Sequence, residues 1–187
     1  MHFYNLLLLG VFMWVEQLLS ATQREPLGLH MDWTRVESEL GVSPPEDYKR
    51  VCEAFGPGEF SEYLDILCSN EAGGPDILVQ WRACAETADK RTDAALPHPL
   101  FAPYNVFERQ RPAGLIPWAF TQNECEFYWL SDAGDPNEWP IIARFLDSDW
   151  DRYDMSTSEF VVRILTDVDF SPYSVARLFP EVSFEPW

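Results

Sequence analysis

The run LIPWAFTQNECEFYWLSDAGDPNEWPIIARFL, residues 115–146, decides the fold. It holds three aromatic and β-branched stretches, Ile116–Thr121, Cys125–Ser131 and Pro140–Leu146. They are cut by Gln122-Asn123-Glu124 and by Asp132-Ala133-Gly134-Asp135-Pro136-Asn137. Stretches of this kind bounded by turn residues read as strands. Connections so short can join only antiparallel neighbours, because a parallel partner needs a crossover of a dozen residues or more. A meander is therefore expected, followed by a further acidic turn at Asp147-Ser148-Asp149.

Helical patterns lie on both sides of this region. Thr34 and Glu37 have capping-box spacing, and a short helix then runs to Leu40 and stops at Gly41. Ser43-Pro44-Pro45-Glu46 reads as a second start, with serine as the cap and proline at the first helical position. Tyr48, Val51, Cys52 and Phe55 follow at helical spacing and Gly56 ends the element. A strand is expected over Tyr63–Cys68. Asp76 then opens a helix with Ile77, Leu78, Trp81, Cys84, Ala85 and Ala88 on one face. Thr92–Gly114 holds four prolines and reads as a long irregular connection, a place where function often resides. Ser156 and Glu159 cap a closing helix faced by Phe160, Val161, Ile164, Leu165 and Val168. The expected class is α+β: N-terminal helices, a central antiparallel meander sheet and a C-terminal helix.

The first thirty residues read differently. Phe3–Val15 is almost wholly apolar, short for a membrane span, and lacks the basic residues that precede the core of an export signal. Residues 1–30 are expected to be an extension and linker outside a domain covering 31–187, with Met31-Asp32-Trp33 as its natural beginning and residues 31–187 able to fold alone.

Thirteen Lys and Arg against 31 Asp and Glu give a net charge of −18. Phosphate backbones repel such a surface, which argues against nucleic-acid binding, and a basic protein would be steered toward it. The four cysteines form no C-x-x-C pair, and Cys52 and Cys84 fall on apolar helical stripes. They read as reduced, unpaired thiols of a cytoplasmic protein. No metal or other cofactor is expected. Asp147-x-Asp149-x-Asp151 resembles the start of a calcium loop, but Arg152 stands where glycine is needed and Ser158 where a bidentate glutamate is needed. No nucleophile elbow, phosphate loop or zinc helix occurs, so no catalytic residue is nominated.

The order of the pieces resembles the SUKH superfamily. Trp33 and Glu37 lead to Leu40-Gly41, then to Pro45-x-Asp47-Tyr48-Lys49 and Phe55-Gly56. Leu115-Ile116-Pro117-Trp118, Tyr128-Trp129-Leu130 and Asp135-Pro136-Asn137-Glu138-Trp139-Pro140 are similar to the family's sheet, and Phe160–Leu165 to its last helix. Asn123-Glu124 replaces the Gly-Asp turn many members carry, and the apolar extension is foreign to the family. The resemblance implies a non-enzymatic immunity protein that binds and neutralises a toxin of a polymorphic toxin system. The alternative is a regulatory or scaffold module without a toxin partner.

The partner expected is thus a protein, a toxin domain such as a basic nuclease, with neither nucleic acid nor membrane engaged. Residues 121–187 hold 14 acids against four arginines. The candidate contacts are Glu124, Glu126, Asp132, Asp135, Glu138, Asp147, Asp149 and Asp151 near the meander turns. Alternation sends some tryptophans of the sheet region inward to the core and others outward; Trp118, Trp129 and Trp139 join the acids as aromatic anchors where they face out.

Overall fold

The meander is the middle of a larger sheet. The computed structural model describes residues 13–69, 75–90, 96–111, 113–132, 134–145 and 148–187. Its elements in chain order are α1 (13–21), α2 (Trp33–Leu40), α3 (Glu46–Phe55), β1 (Gly58–Phe60), β2 (Leu64–Ile66), α4 (Ile77–Ala88) and β3 (Gly114–Thr121). There follow β4 (Cys125–Ser131), β5 (Ile141–Phe145), β6 (Asp151–Tyr153), α5 (Thr157–Thr166) and β7 (Phe184–Pro186). The seven strands form one antiparallel sheet in the order β6-β5-β4-β3-β2-β1-β7. The fold is α+β.

Strand alternation sorts the core. Phe127 and Trp129 of β4, Ile141 and Ala143 of β5, and Trp118 of β3 face one side, where α3 and α5 pack with Tyr48, Phe55 and Phe160. Tyr128, Ile142 and Leu115 face the other, covered by Cys84 and Ala88 of α4 and by Phe101 and Val106 of the long connection. The strand expected over Tyr63–Cys68 is shorter and forms a hairpin with β1, while β6 and β7 have no strand-like pattern of their own.

Two helix starts differ from expectation. The α2 cap is Asp32, whose carboxylate accepts from the Arg35 amide, and Glu37 instead accepts from Lys49 and Ser43. Because the Ser43 hydroxyl is turned to Glu37, it does not cap α3. The first amide of that helix, Glu46, donates to Asn137 Oδ1 at 2.8 Å, 91 residues along the chain. Asp47 next to it accepts from the Ser158 amide at the start of α5. The N-termini of α3 and α5 are therefore stitched by a partner each, so their ends answer to tertiary contacts rather than to neighbouring sequence. Ser156 does cap α5, and Asp76 caps α4 by accepting from Leu78 and Val79.

The N-terminal segment is the largest correction. Residues 1–12 lie outside those described, but from 13 onward the chain is part of the domain. Val15, Leu18 and Leu19 of α1 are buried in the main core. Beyond α1 the Leu27 and Leu29 amides donate to the carbonyls of Ala54 and Glu53 in α3, and Arg24 donates to the Phe184 carbonyl of β7. Within the described part, Val15, Leu18 and Leu19 form the apolar face with which α1 packs.

Candidate functional site

The register of the meander separates the expected acidic surface into two. Gly114 stands opposite Ser131 and Phe120 opposite Glu126, while Phe145 stands opposite Cys125 and Ile141 opposite Trp129. The 122–124 turn and the 148–150 segment therefore share one end of the sheet, and 132–140 lies at the other. Seven residues at about 3.3 Å each put these ends roughly 20 Å apart. Glu124 and Asp149 are exposed at the first end; Asp132, Asp135 and Glu138 are exposed at the second. Asp132 and Asp135 are also engaged locally, accepting from the Gly134 and Asn137 amides. Asp151 opens β6 and accepts from the Tyr173 hydroxyl at 2.8 Å, and Asp147 lies outside the described residues.

The tryptophans are corrected outright. Trp118, Trp129 and Trp139 are 0, 1 and 4 % exposed, so none offers a face to a partner. Trp118 stacks on Trp129 with centroids 6.0 Å apart, Tyr48 meets Trp129 edge-on at 4.8 Å, and Trp129 Nε1 donates to Thr157 Oγ1. Strand alternation and the arrival of α3 and α5 on that face put Trp118 and Trp129 in the core, and Trp139, just after the short helical turn Pro136–Glu138, joins the same cluster.

A cleft lies at the first end. Its larger lobe, about 640 Å³, is lined by Pro99, Leu100 and Ala102–Tyr104 of the long connection together with Arg144 and Ser148–Trp150. A second lobe, about 430 Å³, shares Leu100 and Arg144 and is completed by Gln80, Phe120, Glu124 and Glu126. Arg144 sits between the lobes. It is buried, donates to Glu126 at 2.6 Å and to the Leu100 carbonyl, and lies 4.3 Å over the Trp150 ring. Trp150 in turn donates to the Ala102 carbonyl at 2.8 Å. Two side chains of the meander thus hold the backbone of the connection against the sheet. Sequence reasoning missed Arg144, although its place two residues after Ile142 put it on the same face.

Arg144 also ends a row across that face. The pairings Glu59–Asp65, Asp65–Phe120, Phe120–Glu126 and Glu126–Arg144 make these five residues successive cross-strand neighbours. The row has three acids and one cation. The other three arginines of residues 121–187 are also taken up: Arg152 by Asp154, Arg163 by Glu159 and Asp167, and Arg177 by Asp169. Among the described residues, Glu124, Asp132, Asp135, Glu138 and Asp149 form no ion pair. Glu124 also holds φ at 62°, a left-handed conformation that a non-glycine residue adopts at a cost of about 1 kcal/mol.

Asp65 is the buried acid of the row. It is 3 % exposed, its Oδ1 has no hydrogen-bond partner among the described residues, and burial followed by the Glu59 charge pushes its carboxyl up to about 6. A carboxyl raised in the folded state favours folding while it is protonated. That benefit is complete below the unfolded value near 3.8 and is lost as pH rises through 6. Asp65→Asn should therefore stabilise the protein by roughly 2 kcal/mol at pH 7.5 and leave it nearly unchanged at pH 4. Urea unfolding at the two pH values checks this; an equal effect at both would remove the ionisation argument.

All four cysteines are free and buried, and the Cys84 thiol beneath the cleft is pushed up to about 11 by burial and by Glu126, so it stays protonated at neutral pH. Among the described residues no group of three or more His, Cys, Asp or Glu could hold a metal ion, and no helix is long and apolar enough to cross a membrane. No family model, curated protein or solved structure matches the chain.

Proposed function

We propose that this chain is a non-enzymatic immunity protein that neutralises a basic toxin domain by covering it with the acidic end of its sheet. The observation that supports this most is the charge around the cleft. Glu124 and Asp149 are exposed on its rim, while Arg144, the cation between its lobes, is buried and paired with Glu126. Set within a net charge of −18, such a rim attracts a cationic protein and repels nucleic acid. The order of helices, meander and closing helix is consistent with the resemblance to SUKH domains.

The test needs a cognate toxin, taken first from the neighbouring gene of the native host. Co-expression should protect cells from that toxin. Association should be fast at low salt and slow as ionic strength rises, because the Debye length falls from about 30 Å at 0.01 M to about 8 Å at 0.15 M. Reversing Glu124 and Asp149 to lysine together should slow association about tenfold at low salt, with less effect on dissociation. Reversing Asp132 and Asp135, at the opposite end, should leave the rate near its starting value. Association insensitive to salt, together with protection by the Glu124/Asp149 variant, would sink the acidic-cleft mechanism.

A further inference from the structure

Cys52 lies on the core face of α3, and Cys68 lies two residues past β2. Their side chains are 0 and 1 % exposed, and their sulfurs are 3.1 Å apart, with the Cys68 thiol donating to Cys52 Sγ. The approach is fixed from both sides. Tyr48, one helical turn before Cys52, donates its hydroxyl to the carbonyl of Leu67, next to Cys68. The Leu67 amide donates to the Trp118 carbonyl of β3, and Cys68 Sγ also reaches the Gly56 carbonyl at the end of α3. Bonding distance for two sulfurs is about 2.05 Å, so closure asks for a shift of roughly 1 Å, within the reach of side-chain rotation. The other two thiols have different surroundings: Cys84 faces the opposite side of the sheet, and Cys125 Sγ is 3.6 Å from the Tyr63 hydroxyl.

We propose that Cys52 and Cys68 are a built-in redox pair that closes to a disulfide when the protein meets a peroxide, tying α3 to the sheet. The balance is complete with hydrogen peroxide as oxidant. The thiolate of one cysteine attacks a peroxide oxygen, the O–O bond breaks, and a sulfenic acid and water result once the leaving hydroxide takes up a proton. The second thiol then displaces water from the sulfenic sulfur, so that two thiols and one peroxide become one disulfide and two waters. Burial pushes the Cys52 thiol up, so the reaction should be slow at neutral pH and faster as pH rises.

The experiment treats the full chain with hydrogen peroxide, blocks remaining thiols by alkylation under denaturing conditions, and cleaves after aromatic residues without reduction. Cleavage at Phe55, Phe60 and Tyr63 separates the two cysteines. The expected product is a Cys52–Cys68 linked peptide pair, an intact mass lighter by two hydrogens before alkylation, and alkyl groups on Cys84 and Cys125 only. A thermal midpoint raised by about 5 °C and restored by reductant should accompany it. A Cys84→Ser, Cys125→Ser double variant keeps the pair and should still cross-link, which guards against misfolding of variants at the pair itself. Four alkylated cysteines after an exposure that oxidises a control dithiol peptide would overturn the proposal. So would sulfinic acid at either position without the link, or a different pairing.

Discussion

A chain cut to residues 31–187 should melt roughly 6–20 °C below the full chain or lose its cooperative transition altogether. The cut removes Val15, Leu18 and Leu19 from the main core, exposing the surface of α3 on which the segment lies. Full burial of a valine or leucine side chain is worth roughly 1.5–3 kcal/mol. The ordering entropy of the segment offsets part of that gain. A net loss of roughly 3–5 kcal/mol is a large share of a stability of about 5–15 kcal/mol. At about 2–4 °C per kcal/mol for a chain of this size, the shift is easily read by circular dichroism. The cut also takes away the Leu27 and Leu29 amides that donate to α3 and the Arg24 contact with the β7 carbonyl at Phe184, loosening an edge strand. Leu18→Ala in the full chain, expected to cost about 2–5 kcal/mol, separates loss of packing from loss of chain length. A fragment that melts within a couple of degrees of the full chain would show instead that the extension rests on the domain without supporting it.

Trp129→Ala should cost about 3–5 kcal/mol of unfolding free energy, the range for deleting a large aromatic from a core. Trp129 is 1 % exposed, and three elements converge on it: Trp118 of β3 stacks on it, Tyr48 of α3 meets its edge, and Thr157 of α5 accepts from its indole. Replacement by phenylalanine keeps much of the ring contact but strands the buried Thr157 hydroxyl, so a smaller loss of about 1–3 kcal/mol is expected. Denaturant titration of both variants measures the order. The two roles the sequence allowed for this residue separate cleanly here. A variant as stable as the parent but impaired in binding a partner would return Trp129 to the surface; one that is destabilised in proportion to lost packing keeps it in the core.

Some features of this chain are local and could be read without the fold. The β4 boundaries follow directly from an aromatic run between two turns, and Asp76 and Ser156 cap the helices they precede because a short polar side chain reaches amides two or three residues ahead. Antiparallel order in the meander followed from turn length alone. The caps of α2 and α3 were misread because Glu37 and Ser43 found each other and Lys49, and Asn137 took the vacated place at Glu46. No neighbouring residue announces such an exchange.

The candidate site was legible in charge and illegible in position. Composition gives the net charge of −18, and with it the expectation of a basic partner, because net charge is a sum and needs no geometry. Whether Glu124 and Asp149 act with Asp132 and Asp135 depends on which turns share an end of the sheet, and that is set by strand register. Alternation offered each tryptophan two faces, and only the packing of α3 and α5 decided that Trp118 and Trp129 point inward. The same holds for Arg144 against Glu126, for Asp65 against Glu59, and for the two sulfurs of Cys52 and Cys68: each pairing joins residues from different elements. Short-range propensity and total charge are properties of the sequence by itself. Burial, register and the pairing of distant groups arise only when the chain folds, because they depend on which surfaces exclude water together.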